Sequence, residues 1–219
     1  MKKILLFAIL LLAPLGTIHA SSYVNPDGSV VSIDVKWKIP NKIYTSVMDE
    51  IDRYLPTEFD TGSTDYESGS FLDPHNWEYI FQIKKVYSDK NITSLVVGIY
   101  QYTGGAHGMS AQIGLVYNNK TGKKIDLEEM FDGDKLVKTL GPVWEKKISK
   151  ELEKLYETSL DTSDIDWIKE WTNDISDFRS FTINARAITF YGQEYQHNPY
   201  AFGTRTLTYQ LSKLQNIKK

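Results

Sequence analysis

The stretch WEYIFQIKKVYSDKNITSLVVGIYQYTGGAHGMSAQIGLVYN, Trp77 to Asn118, decides the fold. Its first two segments, Trp77–Ser88 and Ile92–Thr103, are dense in aromatic and β-branched residues, and only Asp89-Lys90-Asn91 separates them. That is the pattern of a β-hairpin. Three glycines and a histidine follow, and Ala111–Asn118 then resumes the same strand chemistry. Three neighbouring strands joined by short turns imply an antiparallel sheet, because a parallel return needs a crossover of a dozen or more residues.

Towards the N-terminus, Val31–Ile39 alternates strictly, with Val31, Ile33, Val35, Trp37 and Ile39 on one face and polar residues on the other. This is a half-buried strand. Pro40 stops it, and Asn41 is placed to cap a helix whose apolar residues Ile43, Val47, Ile51 and Leu55 recur every four positions until Pro56. The polar run Thr57–Asn76 lacks periodicity and reads as a long loop.

Towards the C-terminus, Asn118–Gly122 makes a turn and the chain becomes helical. Leu136, Val137 and Leu140 form one short piece. Gly141-Pro142 is expected to interrupt it, with the proline opening a new helix whose stripe is Trp144, Ile148, Leu152 and Leu155. A further short helix carries Trp167, Ile168 and Trp171, and the last segment returns to strand patterning that closes on Leu207, Tyr209 and Leu211. The expected fold is α+β, antiparallel sheets with amphipathic helices packed on one face. It is organised as one unit over residues 21–119 and a second over 120–219, closely packed on the first.

The first residues, MKKILLFAILLLAPLGTIHA, combine two lysines, an apolar run, Pro14 and Gly16, and a small residue at position 20. Residues 1–20 read as a secretory signal peptide, since the apolar run is shorter than the ~20 residues a membrane span needs. Export to the periplasm or beyond follows as an expectation. The chain has no cysteine, which excludes disulfides, thiolate metal sites and a cysteine nucleophile. Residues 21–219 carry 28 acidic against 23 basic side chains, a surface ill suited to nucleic acid or anionic lipid and attractive to a basic protein.

Catalytic motifs are missing. No His-Glu-x-x-His pair, Gly-x-Ser-x-Gly elbow or phosphate-cradling glycine loop occurs, so no cofactor is expected. The carboxylate pairs Glu128 with Glu129 and Asp164 with Asp166 read as helix starts or solvated turns. Of the histidines after residue 20, His75 lies in the polar loop, and His197 can approach His107 only if the last strands pair with the central hairpin. Such a two-histidine pair is an alternative metal site; none is assigned. Around His107, Gly104, Gly105 and Gly108 permit positive φ and close backbone approach, and the imidazole can tie the loop through its ring nitrogens. A turn with a histidine latch is the favoured reading, with His107 as a general base the alternative.

The run Tyr102–Gly108, then NNKTGKKIDLEEMF from Asn118 to Phe131, resembles exported bacterial domains of unknown function: the one preceding the catalytic domain of the peptidoglycan deacetylase PdaC, and the lysozyme-sensing ectodomain of the anti-sigma factor RsiV. Phe181-Thr182-Ile183, Phe190-Tyr191, Tyr195 and Pro199-Tyr200-Ala201-Phe202-Gly203 match the second half of that pattern in order. Ala187 departs from it, standing where glycine is usual, as do Gln196, His197 and Asn198. The paired aspartates and His-x-x-x-His of the deacetylase are absent, so the resemblance carries no deacetylation.

What the resemblance implies is a non-catalytic recognition module of the envelope, binding a lysozyme-like muramidase or peptidoglycan. Its surface would be built from Tyr102, Gly104, Gly105, His107, Gly108, Pro199, Tyr200 and Gly203. The alternative is a small cell-wall hydrolase using His107 as base.

Overall fold

The computed structural model describes residues 19–24, 28–35, 37–55, 76–170, 172–193 and 203–219. Its first sheet has five strands in the order β1 (His19–Val24), β2 (Val30–Val35), β3 (Glu78–Ser88), β4 (Ile92–Tyr102) and β5 (Met109–Asn118). The α+β class is as expected, and β3, β4 and β5 form the antiparallel meander foreseen from their turns. One pair departs from it: β2 runs parallel to β3, Ile33 opposite Phe81. The helix α1 (Asn41–Asp52) lies between these strands in sequence, and a strand, helix, strand order is the connection a parallel pair requires.

Alternation decides which face is covered. Val31, Ile33 and Val35 of β2 are buried with Tyr79, Phe81 and Ile83 of β3 and with Leu95, Val97 and Ile99 of β4. Against them α1 sets Ile43, Val47, Met48 and Ile51, and full burial of each such side chain contributes roughly 1.5–3 kcal/mol. Asn41 does not cap α1. Pro40 occupies the cap position, and its carbonyl accepts from Ile43 N at 2.9 Å and Tyr44 N at 3.0 Å. Proline suffices there because the exposed first turn can give its remaining N–H groups to water.

The second half begins with the single turn α2 (Leu127–Met130) and the long helix α3 (Gly133–Tyr156). The interruption expected at Gly141-Pro142 does not occur: α3 is continuous with Pro142 inside it. Leu136, Leu140, Trp144, Ile148 and Leu152 follow at four-residue spacing straight through the proline, and all five are buried. Their combined burial outweighs the roughly 3 kcal/mol that an interior proline costs. Leu155, expected on the same stripe, is exposed in the last turn, just before Glu157 ends the helix at φ 53°.

After α4 (Thr162–Glu170) comes a 3-10 turn, Ile175–Phe178. A second sheet follows, β6 (Phe181–Ile183), β7 (Ala187–Gly192) and β8 (Arg205–Gln210), antiparallel throughout. Phe190 and Phe178 meet edge to face, ring centroids 5.2 Å apart, and Trp144 stands 5.3 Å from Phe178 in the same manner. Such pairs add about 0.5–1.5 kcal/mol each beyond burial.

The two cores meet at β5. Ile113, Leu115 and Tyr117 point to the first, while Val116 points to the second. Between them Gly114 has no room for a side chain, since a Cβ there would lie 2.5 Å from the Phe181 carbonyl carbon. Ser94 on β4 completes the seam: its Oγ donates to the Ile183 carbonyl at 2.6 Å and accepts from Ile183 N at 3.1 Å. The sheets therefore touch at small residues and backbone bonds, while Val116 sends an apolar side chain of the first sheet into the second core. Among the described residues, no helix is long and apolar enough to cross a membrane.

Candidate functional site

The glycine stretch is the connection from β4 to β5. Gly104 and Gly105 both have φ near 92°, a region that disfavours any residue with a Cβ. Tyr102, the last residue of β4, bends over the turn and its hydroxyl donates to the Gly105 carbonyl at 3.1 Å. Gly108 is glycine for space: a Cβ there would lie 2.5 Å from the ring of Tyr100. Tyr100 pairs with Ser110 across the hairpin, which puts its ring within diagonal reach of residue 108.

His107 is exposed at the turn, with Nδ1 3.1 Å from the Gly108 carbonyl. A carbonyl only accepts, so Nδ1 carries the proton in this contact, an arrangement of a ring nitrogen engaged by the backbone of its own loop. Among the described residues, no group of three or more His, Asp or Glu side chains is placed to hold a metal ion. His75, His197, Pro199 and Tyr200 lie outside the described residues, and with them the pairing of His107 with His197. Gly203 is described, with φ 62° and open space where a Cβ would be.

Both roots of the connection between β7 and β8 are fixed. Gln193, directly after β7, donates through Nε2 to the Gln112 carbonyl at 2.7 Å, while Gln112 N donates to Gln193 Oε1 at 3.0 Å. The side-chain amide thus acts as one more strand residue on the free edge of β5. Gly114 N donates likewise to Ser180 Oγ at 3.0 Å, and Ile125 N donates to the Val116 carbonyl at 2.8 Å. Backbone groups that would template another chain are thereby occupied. Gln112 is three positions along β5 from Met109, roughly 10 Å from the glycine turn.

At the other root, Arg205 begins β8 opposite Gly192 and pairs with Glu151 of α3. Glu151 also meets Lys147 at 3.6 Å, and Lys147 Nζ donates to the Thr206 carbonyl. Burial, and secondarily the Arg205 charge, pulls the Lys147 ammonium below its usual range. Gly203 therefore emerges from a strand end held against α3, while Gln193 leaves from a strand end held against β5. Sequence reasoning missed Tyr100, Gln112, Ser180 and Gln193, and no local signal marks a bond such as Gln112 to Gln193 between residues 81 positions apart.

The carboxylate pairs behave as helix starts. Glu129 accepts from Asp126 N at 2.9 Å in a capping box, and Glu128 takes Arg179 at 3.0 Å. Asp164 sits in the first turn of α4, where its N–H donates to Asp161 Oδ1 at 2.9 Å.

Comparison with known proteins adds two matched segments. Residues 30–110 match the family described as Deacetylase PdaC, and residues 128–209 match the one described as Protein of unknown function (DUF3298). No curated protein matches the chain. By fold the chain is similar to a DUF3298 family protein from Pseudomonas aeruginosa PAO1, with TM-score 0.61 and 21% identity over 94% of this chain and 95% of that one. It is also similar to a DUF3298 family member from Bacteroides fragilis NCTC 9343, with TM-score 0.54 and 15% identity over 93% and 92%. Residues 30–209 thus join a PdaC-type segment to a DUF3298-type segment, and the fold is that of DUF3298 proteins of unknown function.

Proposed function

We propose that this protein is an exported, non-catalytic recognition module of the bacterial envelope. It comprises two packed units, residues 21–119 and 120–219, and binds a lysozyme-like muramidase or peptidoglycan outside the membrane. The binding surface joins the turn Tyr102–Gly108 to the connection that ends at Gly203 and includes Pro199 and Tyr200. The observation that carries this reading is the reciprocal pair of hydrogen bonds between Gln112 and Gln193, which roots the second connection on the strand that leaves the first. A turn whose shape is set by glycine and whose tyrosine hydroxyl is engaged internally presents Ala106 and His107 without rearrangement, which lowers the cost of binding. The excess of acidic side chains suits a basic partner such as a muramidase.

The test is calorimetric titration of residues 21–219 with lysozyme at low and physiological salt, and separately with soluble peptidoglycan fragments. Micromolar binding to one of these that persists at physiological salt is expected. Tyr200→Ala should weaken it about 30-fold, the effect of losing an aromatic anchor worth about 2 kcal/mol. Full binding by Tyr200→Ala would move the surface elsewhere, and silence towards both probes would remove the reading.

A further inference from the structure

We propose that the opposite end of the three-stranded sheet holds a binding site for a small anion bearing phosphate or carboxylate groups. β7 runs from Ala187 to Gly192, so the turn that precedes it lies at the far end from Gln193 and is independent of the surface above. There Arg186, Gln210, Ser212, Gln215 and Lys218 line an open cavity of about 470 Å³, within the range of about 300–1,000 Å³ usual for small-molecule pockets. Two cations and no carboxylate line it. Arg53 has Glu50 and Arg179 has Glu128 as acidic neighbours, whereas among the described residues Arg186 and Lys218 form no ion pair and face the same cavity.

The floor of the cavity is fixed by the backbone. Asn184 Oδ1 accepts from Arg186 N at 2.8 Å and from Ala187 N at 2.9 Å, and Leu211 N donates to the Arg186 carbonyl at 2.9 Å. Gln215 Nε2 donates to the Leu211 carbonyl at 2.8 Å. The segment that carries Lys218 is pinned too, by its bridge to Phe131 and by the bond from Lys219 N to the Met130 carbonyl at 3.1 Å. With Asn184 N, Arg186 N and Ala187 N engaged inside the turn, recognition falls chiefly to side chains. The Arg186 guanidinium offers a planar fork for two oxygens, Lys218 a point charge, and Ser212 and Gln210 neutral donors.

Calorimetric titration of the full protein with inorganic phosphate and with citrate, at low and physiological salt, tests the site. Saturable binding of at least one probe is expected, weakened about tenfold or more in the Arg186→Ala, Lys218→Ala double variant, because both side chains are charge-assisted donors. Lys213→Ala, which removes a neighbouring cation stacked on Tyr209, should leave the affinity unchanged. All three residues are exposed surface positions, so the melting temperatures of the variants should match the parent and report an intact fold. Preference for phosphate or for citrate identifies the group the site takes. Failure of both probes to saturate, equal loss in the Lys213→Ala control, or no loss in the double variant overturns the proposal.

Discussion

Two glycine turns flank β5, Gly104–Gly108 before it and Asn118–Gly122 after it, and their surroundings are opposite. At Gly122 the backbone has φ 75° and a Cβ would lie 2.2 Å from the Lys42 carbonyl oxygen of α1. Ser46 Oγ donates to the Gly122 carbonyl at 2.9 Å, Lys42 Nζ donates to the Lys120 carbonyl at 3.1 Å, and Asn118 Oδ1 accepts from Lys120 N at 2.9 Å. Gly105 has φ 92° with nothing within 4 Å of a Cβ position, and Ala106 and His107 beside it are exposed. One glycine is required for both shape and space; the other is required for shape alone. The turn after β5 thus belongs to the body of the molecule, while the turn before it is held out from the body with its own backbone geometry fixed.

The largest expected effect comes from breaking the turn whose Gly122 is packed against α1. Gly122→Ala combines left-handed strain of about 1–2 kcal/mol with a backbone clash costing about 1–3 kcal/mol, together about 3 kcal/mol. For a chain of this size that lowers the melting temperature by about 6–12 °C. A loss below about 1 kcal/mol in a thermal melt would mean that α1 yields freely, and the contrast with Gly105 would vanish.

Gly105→Ala should cost only the strain, about 1–2 kcal/mol, a fall of roughly 2–8 °C. Asparagine tolerates positive φ better than alanine, so Gly105→Asn should recover part of that loss, whereas Gly122→Asn should be at least as harmful as Gly122→Ala. The pair of ratios separates shape from space without relying on absolute stabilities. Equal damage from Asn and Ala at position 105 would reveal a steric requirement there and place that turn with the packed one.

Much of the fold was legible because burial on one face imposes a period. Val31, Ile33 and Val35 gave β2 and the four-residue spacing of Ile43, Val47 and Ile51 gave α1, although the strand stops at Val35, short of the expected Ile39, and the helix at Asp52, short of Leu55. Pairing between strands far apart in the chain was not legible. The parallel register of β2 with β3 depends on contacts across some fifty residues, and the sequence of β2 is compatible with either direction. Pro142 misled because a local rule was set against a stripe extending from Leu136 to Leu152, and summed burial decided the outcome. At the site, the positive φ of Gly104 and Gly105 followed from composition alone. The role of Tyr100 over Gly108 did not, since its argument runs across the hairpin, and the roots at Gln193 and Arg205 are long-range bonds with no local mark.

A third turn completes the comparison and carries the smallest expected effect. Asp89-Lys90-Asn91 joins β3 to β4 and is exposed like Gly105, yet it contains no glycine. A carboxylate shapes it instead: Asp89 Oδ1 accepts from Ile92 N at 2.9 Å and from Asn91 N at 2.7 Å, and Oδ2 accepts from the Tyr87 hydroxyl at 3.1 Å. The bonds from Ile92 and then Asn91 hold the Asp89 carboxyl below its ordinary range. A folded-state pKa that is depressed means that the ionised form stabilises the fold. That contribution is complete above the unfolded-state value near ~3.9 and is lost as pH falls through the lower folded value. Wild type and Asp89→Ala should therefore differ in urea stability at neutral pH and converge as the solution is acidified below about pH 4, with Asp89→Asn showing no such convergence against Asp89→Ala because it does not titrate. A gap between wild type and Asp89→Ala that stays constant across the acid range would show that the oxygen's position matters and its charge does not. The turn would then belong with Gly105, shaped by covalent geometry, instead of standing as the one turn of the three that is set by electrostatics.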